Sequence, residues 1–363
     1  MFKNIYNKKK VLVTGNTGFK GSWLITWLEK LGANVVGISK DIPTSPSMFK
    51  ELNLEDRIKY YQEDMRDLDK IIEIISIEKP EFLFHLAAQS IVSTSYTDPI
   101  QTISSNVMGT ANILEAIKIL NYKCTAIIIT SDKAYDNVEQ VWGYKENDKM
   151  GGKDIYSGSK GAAELVIKSY YHSFFKVKNC NIKLAIGRAG NVIGGGDWAK
   201  NRIVVDCMKA WSKGEAVELR APKATRPWQH VLEPLGGYLN LGAELYENDS
   251  LHGESFNFGP RSEQNYTVEE LLIELSKYWD VKDAYRVNKD TPFHEAKLLK
   301  LNCDKAFFCF NWQANLNFKE TIKFTSEWYY DFYKTDKKIL NKTLEQITEY
   351  ENIAKKNNLK WTE

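Results

Sequence analysis

Val11-Leu-Val-Thr-Gly15-Asn-Thr-Gly18-Phe-Lys-Gly21 decides the fold. A short apolar run ends at one glycine, and two more glycines follow at three-residue intervals before a helix-like stretch begins. This reads as a strand, a tight turn and a helix opening. Gly15 permits the turn, Gly18 lets backbone N–H groups approach a pyrophosphate, and Gly21 lets the helix lie close to the sheet. The N-terminus of such a helix offers partial positive charge to phosphate. Three spaced glycines mean little alone. With a strand before and a helix after, they form a GxxGxxG variant of the dinucleotide fingerprint. Gly15, Asn16, Thr17, Gly18, Phe19, Lys20 and Gly21 are therefore cofactor-binding candidates.

Outward from this loop the first 190 or so residues keep one rhythm. Val11–Thr14, Asn34–Ile38, Phe82–Leu86, Ala126–Thr130 and Lys183–Gly187 read as buried strands, and Trp23–Leu31, Leu68–Ile77, Thr102–Leu120 and Ala162–Phe175 as the helices between them. Such alternation predicts βαβ units and a Rossmann-type, doubly wound parallel α/β sheet. A dinucleotide-binding domain is expected over 1–190. A smaller mixed α/β substrate lobe is expected over 191–363, with some segments returning to the main sheet. The second strand ends in Ser39-Lys40-Asp41. Ser39 and Asp41 are candidates for the adenosine ribose, but Lys40 suits a 2′-phosphate equally, so this strand leaves NAD and NADP both open. Asp64 and Met65 precede the helix-like stretch Leu68–Ile77, and Leu86, Ala87, Ala88 and Gln89 close and follow the strand Phe82–Leu86; with Asn106 they complete the cofactor candidates.

Bulk properties fit a globular enzyme and exclude several other classes. The chain has 363 residues, 43% hydrophobic and 26% charged, with net charge +2. Nothing marks a nucleic-acid binder, and no apolar run nears the ~20 residues that span a bilayer. The basic, then apolar start, MFKNIYNKKKVLVTG, is too short in its apolar part for a signal peptide and reads as the first strand. The five cysteines are widely spaced without a CxxC pair, so neither a disulfide framework nor a metal site is expected, and a reducing cytoplasm fits.

The chemistry concentrates at Tyr156-Ser-Gly-Ser-Lys160. Residues four apart share a helix face, so the lysine ammonium sits near both the phenol and a cofactor ribose, and lowers the phenol pKa. One element earlier the strand Ala126–Thr130 ends in Ser131-Asp132-Lys133. In open α/β sheets ligands gather at the carboxyl ends of strands. Ser131, Asp132, Lys133, Tyr156 and Lys160 are accordingly the catalytic candidates.

These blocks resemble the extended short-chain dehydrogenase/reductase superfamily over about Val11 to Tyr330. Within it, TGNTGFKGSWL (14–24), HLAAQ (85–89), TSDKAYDN (130–137), WGYKEND (142–148), DIYSGSK (154–160), GRAGNVIGGGDWA (187–199) and RPWQHVLEPL (226–235) resemble the CDP-glucose 4,6-dehydratases. Dehydratases of dTDP- and GDP-sugars carry Asp-Glu where this chain has Asp132-Lys133. Ala134 departs from the cysteine expected in the CDP-sugar branch.

The resemblance implies that Tyr156 deprotonates the sugar 4-hydroxyl while the nicotinamide takes hydride from C4. Ser131 bonds that hydroxyl, and Lys160 holds the ribose. Neutral Lys133 then removes the C5 proton, or stabilises the enolate by charge alone. Protonated Asp132 donates to the departing 6-hydroxyl, and hydride returns to C6. A closed pocket pushes both groups toward those states. The cofactor implied is NAD, with NADP open, and the substrate is CDP-glucose on a route to deoxysugars of lipopolysaccharide O-antigen. Gln89, Ser90, Arg188, Asn191, Asp197, Trp198, Arg202, Arg226 and His230 are the implied substrate residues, with Trp228 as either packing or contact. The superfamily also implies a homodimer or a dimer of dimers built on the helices near 102–120 and 162–175. An epimerase or reductase of the same fold needs Ser131, Tyr156 and Lys160 but no elimination pair, so Asp132 and Lys133 speak for dehydration. A cofactor-sensing protein that kept the fold commonly loses the tyrosine or lysine, and both are present.

Overall fold

The computed structural model describes residues 1–363 except 179, 220, 280, 282 and 288–297. Seven strands form one parallel sheet: β1 (Lys10–Thr14), β2 (Asn34–Ser39), β3 (Lys59–Gln62), β4 (Phe82–His85), β5 (Cys124–Ile129), β6 (Ile182–Ala189) and β7 (Ser255–Phe258). Their order across the sheet is β3-β2-β1-β4-β5-β6-β7. The order reverses between β1 and β4, whose ends meet where Thr14 pairs with His85. A crevice for ligands opens at such a switch point.

The main helices are α1 (Phe19–Lys30), α2 (Leu68–Glu78), α3 (Gly109–Lys118), α4 (Ile155–Tyr170), α5 (Ile203–Ser212), α6 (Leu232–Glu247), α7 (Val268–Ser276), α8 (Phe318–Lys334) and α9 (Ile339–Lys356). The alternation of side chains along each strand divides the core in two. Leu12, Leu83, Ala126 and Ile128 face α2, α3 and α4 through Ile71, Ile113, Ile117 and Ile167. Val11, Val13, Phe84 and Ile127 face the opposite layer, which contains Trp23 and Trp27 of α1, Leu235 and Leu239 of α6, and Trp328 and Tyr350 of α8 and α9. Each large apolar side chain taken out of water contributes about 1.5–3 kcal/mol. Much of that second layer comes from the C-terminal half of the chain: α6 packs on β5 and β6, and β7 extends the sheet beyond β6. The tail is tied down as well, since Trp27 Nε1 donates to Glu351 Oε1 of α9 at 2.9 Å.

Short strand pairs build a wall above the carboxyl ends. Val192–Ile193 pairs with Gln229–His230, Thr225–Arg226 with Tyr266–Thr267, and Val217–Leu219 with Tyr285–Val287. One expected helix is interrupted. Within 102–120, a helix at Pro99–Ile103 leads into a five-residue π-turn at Ser104–Met108 before α3 begins. That wide turn places Asn106 beneath the cleft.

Candidate functional site: the cleft at the switch point

A cavity of about 960 Å³ lies over the ends of β1, β4, β5 and β6. Its adenosine-side wall is the glycine loop. Gly15 has φ +73, and a Cβ there would fall 2.7 Å from Ala87 N; a Cβ at Gly21 would fall 2.2 Å from Gly15 O. Both turn and helix contact therefore exclude side chains. The loop is pinned to β2: Ser39 Oγ donates to Asn16 Oδ1 at 2.7 Å and accepts from Thr17 N at 3.3 Å, while Thr17 Oγ1 donates to Asp41 O at 2.6 Å. The N-cap of α1 is Gly18, with no side-chain cap, in contrast to α4, where Asp154 accepts from Ser157 N at 2.9 Å. The first N–H groups of α1 are thus free for an anion. The cradle fits a dinucleotide pyrophosphate. Asp41 and Lys40 lie exposed at the rim, so the side chain of neither is committed by burial. Asp64 is gripped by Arg66 at 2.6 Å, which holds its carboxyl below the usual carboxylate range.

The catalytic candidates converge at the other end. Ser131 follows β5 and caps the short turn Asp132–Ala134. Its hydroxyl accepts from Lys133 N at 3.2 Å and donates to Asp132 Oδ1 at 2.9 Å. Asp132 is buried against Gly190, where a Cβ would fall 2.0 Å from its Oδ2. Tyr156 and Lys160, in the first turns of α4, line the same cavity, as does half-buried Lys133. Burial pushes the Tyr156 phenol up to about 12. The groups that pull it back most are the Ser131 hydroxyl and the Arg202 guanidinium, rather than the Lys160 ammonium expected from the sequence. Burial lowers Lys160 to about 8, opposed by the Glu164 carboxylate one turn on. Lys20, on the first turn of α1, is likewise lowered to about 8 by burial and then by Arg202. Across the cleft Arg202 Nη1 pairs with Asp197 Oδ2 at 2.6 Å.

Of the remaining candidates, Met65, Leu86, Ala87, Ala88, Gln89, Ser90, Asn191, Asp197, Trp198 and Arg202 line the cavity, and so does Trp228. Five do not. Arg188 is fully buried behind β6: its Nε and Nη2 bind Glu164 at 2.7 and 2.8 Å, and its Nη1 donates to the Tyr135 hydroxyl at 2.6 Å. A guanidinium held in the core outside the cavity lining is out of reach of a phosphate bound there. His230 is fully buried against Trp23 and Phe324, and burial lowers it to about 3. Arg226 lies in the outer strand pair and donates to Thr225 O at 2.8 Å. Asn16 spends its carbonyl on Ser39, as above. Asn106 donates to Gln89 O at 3.0 Å and to Ser159 Oγ at 2.9 Å, so it joins the loop after β4 to α4.

The sequence reading missed the groups underneath. Thr130 Oγ1 and Arg188 both donate to Glu164, and His85 Nδ1 pairs with Thr14 Oγ1 at 2.7 Å. Glu164 was discoverable, because it lies four residues after Lys160 and so shares its helix face. Tyr329 of α8, which lines the cavity and whose hydroxyl accepts from Asp197 N at 3.1 Å, carries no local signal of that role.

With this geometry in place, the comparisons agree. The family model described as GDP-mannose 4,6 dehydratase matches residues 12–325. A CDP-glucose 4,6-dehydratase of Salmonella typhimurium is 44% identical over 330 residues, covering 90% of this chain and 92% of that protein. Among solved structures, UDP-glucose 4-epimerase of Thermotoga maritima with UDP-glucose has a TM-score of 0.76 at 22% identity, covering 90% of this chain and 100% of that one. A dTDP-glucose 4,6-dehydratase of Streptomyces venezuelae with NAD and TYD bound has a TM-score of 0.75 at 19% identity, covering 89% of this chain and 97% of that one. The two structures share the Rossmann architecture, and the family match spans sheet, cleft and wall alike: the chain belongs to the GDP-mannose 4,6-dehydratase family of nucleotide-sugar dehydratases and epimerases.

Proposed function

We propose that this protein is a lyase that converts CDP-glucose to CDP-4-keto-6-deoxyglucose with loss of water. The observation that carries the reading is the Ser131-Asp132-Lys133 turn facing Tyr156 and Lys160 in one cavity. Oxidation at C4 needs only a hydroxyl-binding residue and a base; elimination across C5 and C6 needs a second acid and base, and this turn supplies them. The Salmonella relative, which keeps 44% identity, is named for this reaction. NAD is the cofactor in this reading, as in the Streptomyces dehydratase structure. Residues Gly15, Thr17–Gly21, Ser39, Asp41, Asp64, Met65 and Leu86–Gln89 would hold it, Lys160 would meet its nicotinamide ribose, and NAD so held would supply a hydride acceptor and donor. The cofactor unit is 1–190 with α6 and β7 returning to it; the wall from Asn191 onward holds the nucleotide sugar through Asn191, Asp197, Trp198 and Arg202.

The chain's own residues perform the proton chemistry. Tyr156 takes the proton of the sugar 4-hydroxyl, with Ser131 beside it in the cavity. The resulting 4-ketone acidifies C5–H, Lys133 removes that proton, and Asp132 delivers a proton to the 6-hydroxyl as it leaves as water. Lys133 then returns its proton to C5. Enclosure by Trp198, Trp228 and the glycine-rich loop keeps bulk water from the ketone.

The test is incubation with CDP-glucose and NAD in deuterated water, with mass and NMR analysis. The expected product has lost one water, carries deuterium at C5, and holds the original C4 hydrogen at C6. A 4-epimer with no loss of water would overturn the reading.

The same reading extends to assembly and place. Tyr96, Ile100, Ile103, Met108, Leu165 and Phe174 are exposed along the 92–108 segment and the adjoining α4 face. An apolar surface this continuous fits a second copy of the chain. Light scattering is expected to give a dimer or a multiple of it, and Ile100→Lys with Leu165→Lys a monomer; an unchanged mass in that variant excludes this face. Among the described residues no helix is long and apolar enough to cross a membrane. Five free cysteines and a phosphorylated sugar substrate support a cytoplasmic site of action.

A further inference from the structure

Water leaves, yet the overall conversion neither takes up nor releases a proton. Lys133 takes one proton from C5 and later gives one, exchangeable with solvent, back to C5. The proton taken from O4 must therefore end in the water formed at O6, two carbons away. Tyr156 receives the first, and Asp132 supplies the second.

Bulk solvent is poorly placed to carry it. Tyr156, Ser131 and Asp132 are 7%, 6% and 3% exposed. Ser131 precedes Asp132 in the turn and lines the same cavity as Tyr156. Its O–H donates to Asp132 Oδ1 at 2.9 Å, and it is the side chain that most opposes the effect of burial on the Tyr156 phenol. One of its lone pairs is taken by Lys133 N–H at 3.2 Å, leaving one acceptor site for the phenol. The hydroxyl thus has one direction in which it donates, and that direction is Asp132. The carboxylate cannot swing away on its far side, because Gly190 packs against it.

We propose, resting on the dehydratase reading, that Tyr156, Ser131 and Asp132 form a proton relay in which the Asp132 carboxylate is the terminal base of the C4 oxidation. As hydride leaves C4, the O4–H bond breaks and its proton binds the Tyr156 oxygen. The phenol's own proton passes to Ser131 Oγ, and the Ser131 proton passes to Asp132 Oδ1. Tyr156 and Ser131 end as they began, and Asp132 is now a carboxylic acid. It gives that proton to O6 in the next step and returns to carboxylate. Protons balance within the site. Tyr156 need not be ionised at rest, which suits a phenol that burial has pushed up to about 12, and Asp132 need not be protonated at rest.

A relay and a simple general acid differ in one consequence. If Asp132 only protonates O6, its loss leaves C4 oxidation intact. If it ends the relay, its loss slows oxidation too. The experiment uses NAD-loaded Lys133→Met enzyme, in which elimination is blocked, and follows nicotinamide reduction by absorbance after mixing with CDP-glucose. Adding Asp132→Asn is expected to slow that reduction about 100-fold or more, as is adding Ser131→Ala, whereas Ser131→Thr, which keeps the hydroxyl, retains most of the rate. CDP binding measured by titration confirms that each variant is folded. An oxidation rate in the Asp132→Asn variant within about twofold of its parent overturns the relay. Absence of nicotinamide reduction in Lys133→Met itself overturns the dehydratase reading beneath it.

Discussion

Lys133→Met is expected to lower dehydration about 10²–10⁴-fold while nicotinamide reduction continues, so that reduced cofactor and 4-keto sugar accumulate. Asp132 is held by Ser131, and its carboxylate is engaged there. Lys133 is the next residue, half-buried at the cavity wall, and among the described residues its ammonium makes no hydrogen bond or ion pair. Lys133→Arg separates the two roles that the sequence left open. Arginine preserves positive charge but cannot deprotonate, so it is expected to fail if Lys133 is the C5 base and to restore most of the rate if the residue acts by charge alone. The dehydration rate of Lys133→Arg reads the difference directly, since C5 exchanges its proton in both cases and only the rate depends on which group removes it.

How much of this was legible beforehand follows from where each signal lies. The glycine loop, the Tyr156/Lys160 pair and the turn at 131–133 are local patterns attached to strand ends, and a parallel sheet brings strand ends together whatever the loops do. Those residues converge as expected. The failures are residues whose partners lie far away in sequence. Arg188 follows an apolar run and invites a phosphate, yet it points into the core, because Glu164, 24 residues earlier, waits there as its counter-charge. His230 and Trp228 are two residues apart in one short segment, but only Trp228 lines the cavity, while His230 packs between Trp23 and Phe324. The π-turn at 104–108 was invisible, since its periodicity still reads as one helix. The returning elements α6 and β7 are short apolar stretches whose docking on β5 and β6 is a tertiary fact, beyond what spacing encodes.

Arg188→Met is expected to destabilise the fold by about 3–5 kcal/mol, measured by denaturant unfolding, rather than to raise the KM for a nucleotide sugar. Arg188 and Glu164 are both fully buried, and their paired contacts at 2.7 and 2.8 Å satisfy each other. The guanidinium also donates to Glu146 O at 3.0 Å and lies over the Tyr135 ring at 4.9 Å. Removing the cation leaves a carboxylate with Thr130 as its one donor among the described residues, and desolvation of that uncompensated charge is the largest part of the loss. A pair cost of this origin has a signature. Adding Glu164→Leu to Arg188→Met removes the stranded charge and is expected to recover a large part of the stability, so the two substitutions are strongly non-additive. The double variant also tests what lies above the pair. Glu164 is the carboxylate that favours the charged form of Lys160, against burial that draws it down to about 8. Without Glu164, Lys160 loses its proton at lower pH, and the alkaline limb of the pH–rate profile is expected to move downward even where the fold is restored. Additive stability losses, joined to weakened CDP binding, would instead return Arg188 to the substrate.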